Sequence, residues 1–200
     1  HAKIKEDFHA RAAVKEVVNG VVNGVIDEKS AAGLLYSCCL SANKNVSSSI
    51  SNERTYRIFS NLIELLKSTT RSHKNNVSNV AVANVAEEFY SKLKEKGKDS
   101  ELFISLYNHK YNKASPDDDF GGYQRECRNA CNAIDDIYLL VKSGVLDEED
   151  AADQIFNYYK KCNPDYNYIL SGLIERGAGN IDNGKIDFIR LVFNKITSLS

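Results

Sequence analysis

The chain has 200 residues, 42% of them hydrophobic, and its 26 basic and 27 acidic residues leave a net charge of −1. It contains no basic block that could neutralise a row of phosphates, so neither a nucleic acid nor an anionic membrane surface is an expected partner. The apolar runs are far shorter than the roughly 20 residues that a transmembrane helix needs, which excludes a membrane span.

Apolar residues recur at helical spacing from the start of the chain. In the first helix Val14, Val18 and Val21 form one apolar stripe. Gly24 then ends this helix, and Asp27 begins the next one as its N-cap. Further helices are predicted at about 52–71, 78–96, 99–112, 122–143, 147–161, 166–176 and 183–197, separated by polar or Gly/Pro-bearing breaks. The pattern predicts an all-α protein of about nine helices.

Three segments of the first half recur in the second half in the same order. The offsets between the copies are 120, 111 and 104 residues, and the pairs are Gly24–Tyr36 with Gly144–Phe156, Ile58–Glu64 with Ile169–Glu175, and Asn76–Lys92 with Asn180–Ile196. A glycine, an apolar residue and two acids are also what any helix–turn–helix favours, but three ordered matches favour an internal duplication. We therefore expect two pseudo-repeated four-helix units at 1–96 and 122–200, joined by an extra helix and an acidic loop at 97–121.

The sequence contains no recognisable catalytic, metal-binding or cofactor-binding motif. It has no G-x-S-x-G, H-E-x-x-H or P-loop, and its four histidines are scattered. The stretch "NIDNGKIDF" resembles half of a calcium loop but lacks the essential carboxylates at the first, third and twelfth positions. We therefore expect no enzyme, no metal and no cofactor. A tyrosine cluster around Cys162 is expected either to pack in the core or to form an aromatic contact surface, and its members are Tyr158, Tyr159, Tyr166 and Tyr168.

The five cysteines suggest disulfides rather than a zinc site, because no histidine lies close to any of them. The hairpin of helices 122–143 and 147–161 places Cys127 level with Cys162, which predicts that these two are bonded. Cys131 lies one turn nearer the bend and is expected to pair with Cys38 or Cys39, since adjacent cysteines rarely bond to each other. The thiol left over, with Cys39 the candidate, would then bridge to another chain. The alternative is a reduced protein with buried, unreactive cysteines.

Two N-glycosylation sequons also bear on localisation. "NVS" occurs at Asn45–Ser47 and Asn76–Ser78, in polar stretches that are expected to be loops. They would be usable acceptors in a secreted protein, although such tripeptides also arise by chance in Asn-rich sequence.

With its residues in this order, the chain resembles insect silk fibroin light chains. The likeness lies in four stretches: Ala83–Leu106, Leu139–Tyr159, Tyr168–Glu175 and Gly177–Ile196. The resemblance implies a secreted, helical, non-repetitive subunit joined by a disulfide to a larger fibre-forming chain, whose secretion and assembly it assists. Ala151 stands where the resemblance leads us to expect the linking cysteine, so the family's bridging scheme is not carried over.

The expected function is that of a secreted, extracellular structural or assembly subunit, whose partner is a larger fibrous chain held by a disulfide or by an apolar surface. The alternative is a secreted helical carrier that binds a small apolar ligand between its helices. An enclosed cavity of a few hundred Å3 would favour the carrier, whereas a filled core with an exposed thiol or apolar patch would favour assembly.

Overall fold

The computed structural model describes residues 2–40, 52–71, 76–111, 122–161, 167–179 and 182–198. These residues contain no strand, and the expectation of an all-α fold is confirmed. The helices are α1 (Ala2–Val22), α2 (Glu28–Cys39), α3 (Asn52–Arg71), α4 (Asn76–Glu95), α5 (Asp99–Leu106), α6 (Gly122–Lys142), α7 (Glu148–Lys161), α8 (Tyr168–Gly177) and α9 (Asn183–Thr197), and a π-helix (Tyr107–Tyr111) follows α5.

The predicted helix bounds agree closely with these, and two differences matter. Helix α4 begins at Asn76, so the second sequon lies in the first helical turn and not in a loop. The helix predicted at 99–112 changes after Leu106 into the π-helix. The first sequon, Asn45–Ser47, and most of the acidic loop lie outside the described residues.

The chain divides into two compact units, which comprise residues 1–105 (unit 1) and 106–200 (unit 2). The division falls inside the segment 97–121, which the sequence suggested as a connector. Helix α5 nevertheless packs within unit 1, because the Phe103 ring lies 5.9 Å from that of Phe59 and 6.1 Å from that of Tyr90, centroid to centroid. The first part of the predicted extra helix, α5, is therefore part of the core of unit 1, and the π-helix that follows it belongs to unit 2.

Aromatic side chains fill the core of unit 1. Phe59 of α3, Phe89 of α4 and Phe103 of α5 are fully buried, and the rings of Phe59 and Phe89 stack 6.3 Å apart. Burying one such side chain contributes roughly 1.5–3 kcal/mol, so these rings are a major part of the stability of unit 1. The stripe of buried residues along α3 has helical spacing, as the sequence pattern requires.

Unit 2 is held by one close helix crossing and a polar seam. Gly172 of α8 packs so tightly on α6 that an added Cβ would lie 3.1 Å from the Ala130 Cβ. Beside this crossing, Asp135 of α6 accepts from Lys185 of α9 at 2.6 Å and pairs with Arg176 of α8 at 3.1 Å. Three helices thus meet at one carboxylate.

The two units share their helix pairings and their first turn. In unit 1, α1 packs on α3 and α2 on α4; in unit 2, α6 packs on α8 and α7 on α9. Gly24 and Gly144 end the first helix of each unit in the left-handed region, with φ of 74° and 79°, where glycine has no steric penalty. The peptide N–H of Val25 donates to the carbonyl of Gly20 at 2.8 Å, and Val145 donates to Leu140 at 2.9 Å.

Burial is alike at the residues paired by one match and different at those paired by another. At the second match, Ile58 and Ile169 are both buried, as are Leu62 and Leu173. In the last helix Phe89 is buried whereas Phe193 is only half-buried, so burial does not reflect the expected pairing of these two residues.

Candidate functional site

Four of the five cysteines lie in the described part of the chain, and all four are free thiols: Cys38, Cys39, Cys127 and Cys131. The predicted pairing of Cys131 with Cys38 or Cys39 is therefore not formed. Cys162 lies outside the described residues, and so does the predicted Cys127–Cys162 bond.

The surroundings of the two buried thiols give the physical reason. The Cys39 sulfur is enclosed in unit 1 and donates to the carbonyl of Leu35 at 3.5 Å. The Cys131 sulfur is enclosed in unit 2, against α8, where it lies 3.6 Å from a carboxylate oxygen of Glu175. Because each sulfur is buried within its own unit, neither is exposed to a cysteine elsewhere.

Burial also makes these two thiols unreactive. Desolvation raises the pKa of Cys39 to about 11 and that of Cys131 to about 11, because the thiolate is poorly solvated in the core. Cys39 was the candidate for a bridge to another chain, yet it is fully buried. Its neighbour Cys38 is exposed, and only Cys38 of this vicinal pair has the exposure that an intermolecular bridge requires.

Cys38 lines an open surface cleft of about 290 Å3 between α1, α2 and α3. Besides Cys38, its lining consists of His9, Ala10 and Ala13 from α1 and Arg54 and Ile58 from α3. The lining is largely apolar, and its one formal charge is the guanidinium of Arg54. Arg54 also donates to the carbonyl of Leu40 at 2.8 Å, which satisfies a carbonyl at the end of α2.

Apolar side chains are exposed beside the thiol. Leu34 is 51% exposed and stands one helical turn before Cys38, on the same face of α2. Phe8 is 69% exposed and packs edge-on against the His9 ring at the cleft, 6.2 Å between centroids. A thiol surrounded by exposed apolar groups has the properties of a contact surface.

A second open cleft of about 270 Å3 lies between α1 and α3. Its walls carry both signs of charge, with Arg11 and Lys15 from α1 and Glu64 from α3. Glu64 also pairs with Lys67 at 3.5 Å. The mixed charges give this cleft no clear preference for an ionic or an apolar ligand.

Unit 2 has a buried polar cluster where its π-helix meets α6 and α7. The Tyr107 ring lies 5.1 Å from that of Tyr158, which is 4% exposed. Lys110 pairs with the buried Asp136 at 3.3 Å. Burial raises the pKa of Tyr158 well above its usual value. Of the tyrosine cluster, Tyr158 thus packs in the core, Tyr159 and Tyr168 are half-buried, and Tyr166 lies outside the described residues.

Asp182, in the calcium-like stretch, is used structurally. It is the N-cap of α9 and accepts from the N–H of Gly184 at 3.0 Å and from the Tyr138 hydroxyl at 3.1 Å. In the described ranges no three His, Cys, Asp or Glu side chains converge as a metal site would require.

Sequence reasoning missed Cys38, Leu34 and the cleft as one surface. At the offset of 120, Leu34 corresponds to Gln154 and Cys38 to Tyr158. The structure shows the first member of each pair exposed and the second buried, a difference that the residue types alone do not reveal.

Comparisons with protein-family models, with curated proteins and with solved structures give no match for this chain. Among the helices that the structure describes, none combines the length and apolar character needed to cross a membrane.

Proposed function

We propose that this chain is a secreted structural or assembly subunit that attaches to a larger fibre-forming chain, as the resemblance to silk fibroin light chains implies. The observation that carries the proposal is the exposed Cys38 thiol beside the exposed Leu34, on a unit whose interior is filled by aromatic rings. A filled core with an exposed thiol and apolar patch is suited to joining another chain.

Proteolytic digestion of secreted material from the source tissue, without reduction, tests this proposal. We expect a disulfide-linked peptide pair in which Cys38 carries a sequence from another protein. Because Cys38 and Cys39 are adjacent, fragmentation between them must show which sulfur is bonded. A monomeric secreted chain with Cys38 as a free thiol would contradict the proposal.

The alternative function is that of a carrier for a small apolar ligand, and the cleft of about 290 Å3 is the observation that favours it. This volume is close to the lower end of the range for small-molecule pockets, roughly 300 Å3. The cleft is nevertheless open and lies on the surface, not between the helices of a core. Titration calorimetry with a medium-chain fatty acid, compared between the natural protein and Ala13→Trp, tests this alternative: only the natural protein should bind.

We also infer that the two units derive from one ancestral four-helix unit. The shared helix pairings, the two left-handed glycines and the matched turn hydrogen bonds support a common origin. The two units differ at one face, because Tyr158 in unit 2 is buried and Cys38 in unit 1 is exposed.

A further inference from the structure

One face of α6 is closed in unit 2. Ala130, Ala133 and Asp136 stand at successive turns of this helix and are all buried. On the adjoining helix α7, Gln154 and Tyr158 are buried as well. These five residues are buried on the first two helices of the unit, and Ala130 among them packs against Gly172 of α8.

The corresponding face of unit 1 is open. The positions 120 residues earlier are Ala10, Ala13 and Glu16 on α1, of which the alanines are half-buried and Glu16 is exposed. On α2 the corresponding residues are Leu34 and Cys38, both exposed. We call these five residues the open face of unit 1. The turns at Gly24 and Gly144 set this correspondence, because in each unit one uninterrupted helix precedes the turn and another follows it.

The π-helix covers the face of unit 2 at Tyr158 and Asp136, with one side chain at each. Tyr107 lies against the Tyr158 ring, 5.1 Å between centroids. Lys110, three residues later, pairs with the Asp136 carboxylate at 3.3 Å. An aromatic ring and a cation on one short helical segment therefore cover Tyr158 and Asp136.

Unit 1 retains the complementary groups for such a segment. Glu16 provides a carboxylate at the position of Asp136. Cys38 replaces Tyr158 with a much smaller side chain, and the cleft of about 290 Å3 lies at Cys38. The cleft has room for an aromatic ring, and sulfur forms favourable contacts with such rings.

We propose that the open face of unit 1 docks one helical segment of the partner chain, which presents an aromatic residue to the cleft at Cys38 and, three residues later, a Lys to Glu16. This inference rests on the proposed function, whose partner chain it describes. The segment takes the place that Tyr107–Tyr111 has in unit 2.

A fusion protein tests whether the face accepts such a segment. A copy of residues 99–121 is placed ahead of Ala2. The copied π-helix then lies as many residues before α1 as the natural π-helix lies before α6. Because the tether gives the copy an effective concentration in the millimolar range, we expect maleimide to label Cys38 about tenfold more slowly than in the unfused protein. Peptide mapping assigns the label to Cys38.

Charge exchange makes the test specific. Lys110→Glu in the fused copy should restore fast labelling of Cys38, because it places two carboxylates together at Glu16. Combining that copy with Glu16→Lys should restore protection. The matched control is Glu87→Lys on α4, an exposed carboxylate that is not one of the five residues of the open face, which should change neither labelling rate.

Two results would overturn the proposal. One is a labelling rate of Cys38 that the fused copy leaves unchanged while circular dichroism shows the fusion to be folded. The other is a concentration-dependent dimer of the unfused protein that Ala13→Arg abolishes, since this would assign the open face to a second copy of the chain.

A zero-length carbodiimide cross-link on secreted tissue material identifies the partner segment directly. We expect the Glu16 carboxylate to be joined to a lysine that an aromatic residue precedes by three positions, and a joined segment without this aromatic residue would contradict the proposal. If Cys38 is disulfide-bonded in the tissue but the fused copy does not slow its labelling, the assembly function is supported and the docking of a helical segment is wrong. If the fused copy slows the labelling but the tissue protein has a free Cys38 thiol, the disulfide attachment is wrong and the docking surface is supported.

Discussion

Asp27 and Asp147 accept the same hydrogen bond in the two units. The Asp27 carboxylate oxygen lies 2.6 Å from the N of Ser30, and that of Asp147 lies 2.7 Å from the N of Asp150. In each case a side chain satisfies a backbone N–H that the first turn of the helix leaves without a partner. The turn and its cap thus have the same geometry in both units, although the helices that follow have different surfaces.

Removing the second of these caps should destabilise the protein. Asp147→Ala leaves the N–H of Asp150 without its acceptor, and we expect the free energy of unfolding to fall by about 1 kcal/mol. Asp147→Asn is the matched control, since asparagine caps about as well as aspartate. Urea unfolding followed by circular dichroism measures both, and equal losses for Ala and Asn would reject the cap.

The first cap should also contribute to acid sensitivity. The hydrogen bond from the backbone N–H of Ser30 lowers the pKa of Asp27 below its ordinary value, because it stabilises the charged form. A lowered folded-state pKa contributes stability that is present above the unfolded-state pKa, near 3.9, and is lost as the pH falls through the folded-state value. We therefore expect the urea midpoint of the natural protein to fall more steeply below about pH 4 than that of Asp27→Asn. Parallel curves for the two proteins would contradict this.

Two helical glycines should respond to alanine in opposite directions. At Gly172 a Cβ would lie 3.1 Å from both the Ala130 Cβ and the Ile134 Cδ1, so Gly172→Ala must push α8 from α6 and should cost about 1–3 kcal/mol. At Gly33 the nearest atom is the Lys92 Cε at 4.0 Å, so there is room for the methyl group. Gly33→Ala should stabilise by up to about 1 kcal/mol through helix propensity. A stabilising Gly172→Ala would show that the crossing is looser than described.

The sequence predicted the helices well because their apolar stripes and their turn residues point to the same structure. Helix α3 and helix α9 were predicted at the bounds that the structure has. The turn at Gly24 and its cap at Asp27 could also be predicted, since glycine and aspartate act there through local geometry. Local pattern contains the information for elements of this kind.

Tertiary surroundings were harder to predict. Whether Cys38 or Cys39 is exposed depends on which face of α2 meets its neighbours, and two adjacent residues give no periodic signal. The change from α-helix to π-helix after Leu106 likewise has no local signature in "LYNHKY". The bonding of Cys131 was misjudged because hairpin geometry places a sulfur along a helix but does not show what encloses it.

Thiol reactivity should follow burial. At pH 8, iodoacetamide should modify Cys38 first and the half-buried Cys127 more slowly. Cys39 and Cys131 should stay unmodified until the protein unfolds, because both are buried and have pKa values near 11. Mass mapping of a time course measures the order, and rapid native labelling of Cys39 would show that α2 presents its other face to solvent.

Tyr158 and Cys38, which lie 120 residues apart, should respond differently to alanine. Tyr158 fills the space beneath the π-helix, so Tyr158→Ala should leave a cavity between Tyr107 and α7 and lower the free energy of unfolding by about 3–5 kcal/mol. Cys38→Ala, at the matching position of unit 1, removes an exposed sulfur and should change that free energy by less than about 0.5 kcal/mol. Chemical unfolding of both variants measures the difference. Similar losses at the two positions would mean that the face around Cys38 is as closed as the face around Tyr158, and the docking proposal would lose its basis.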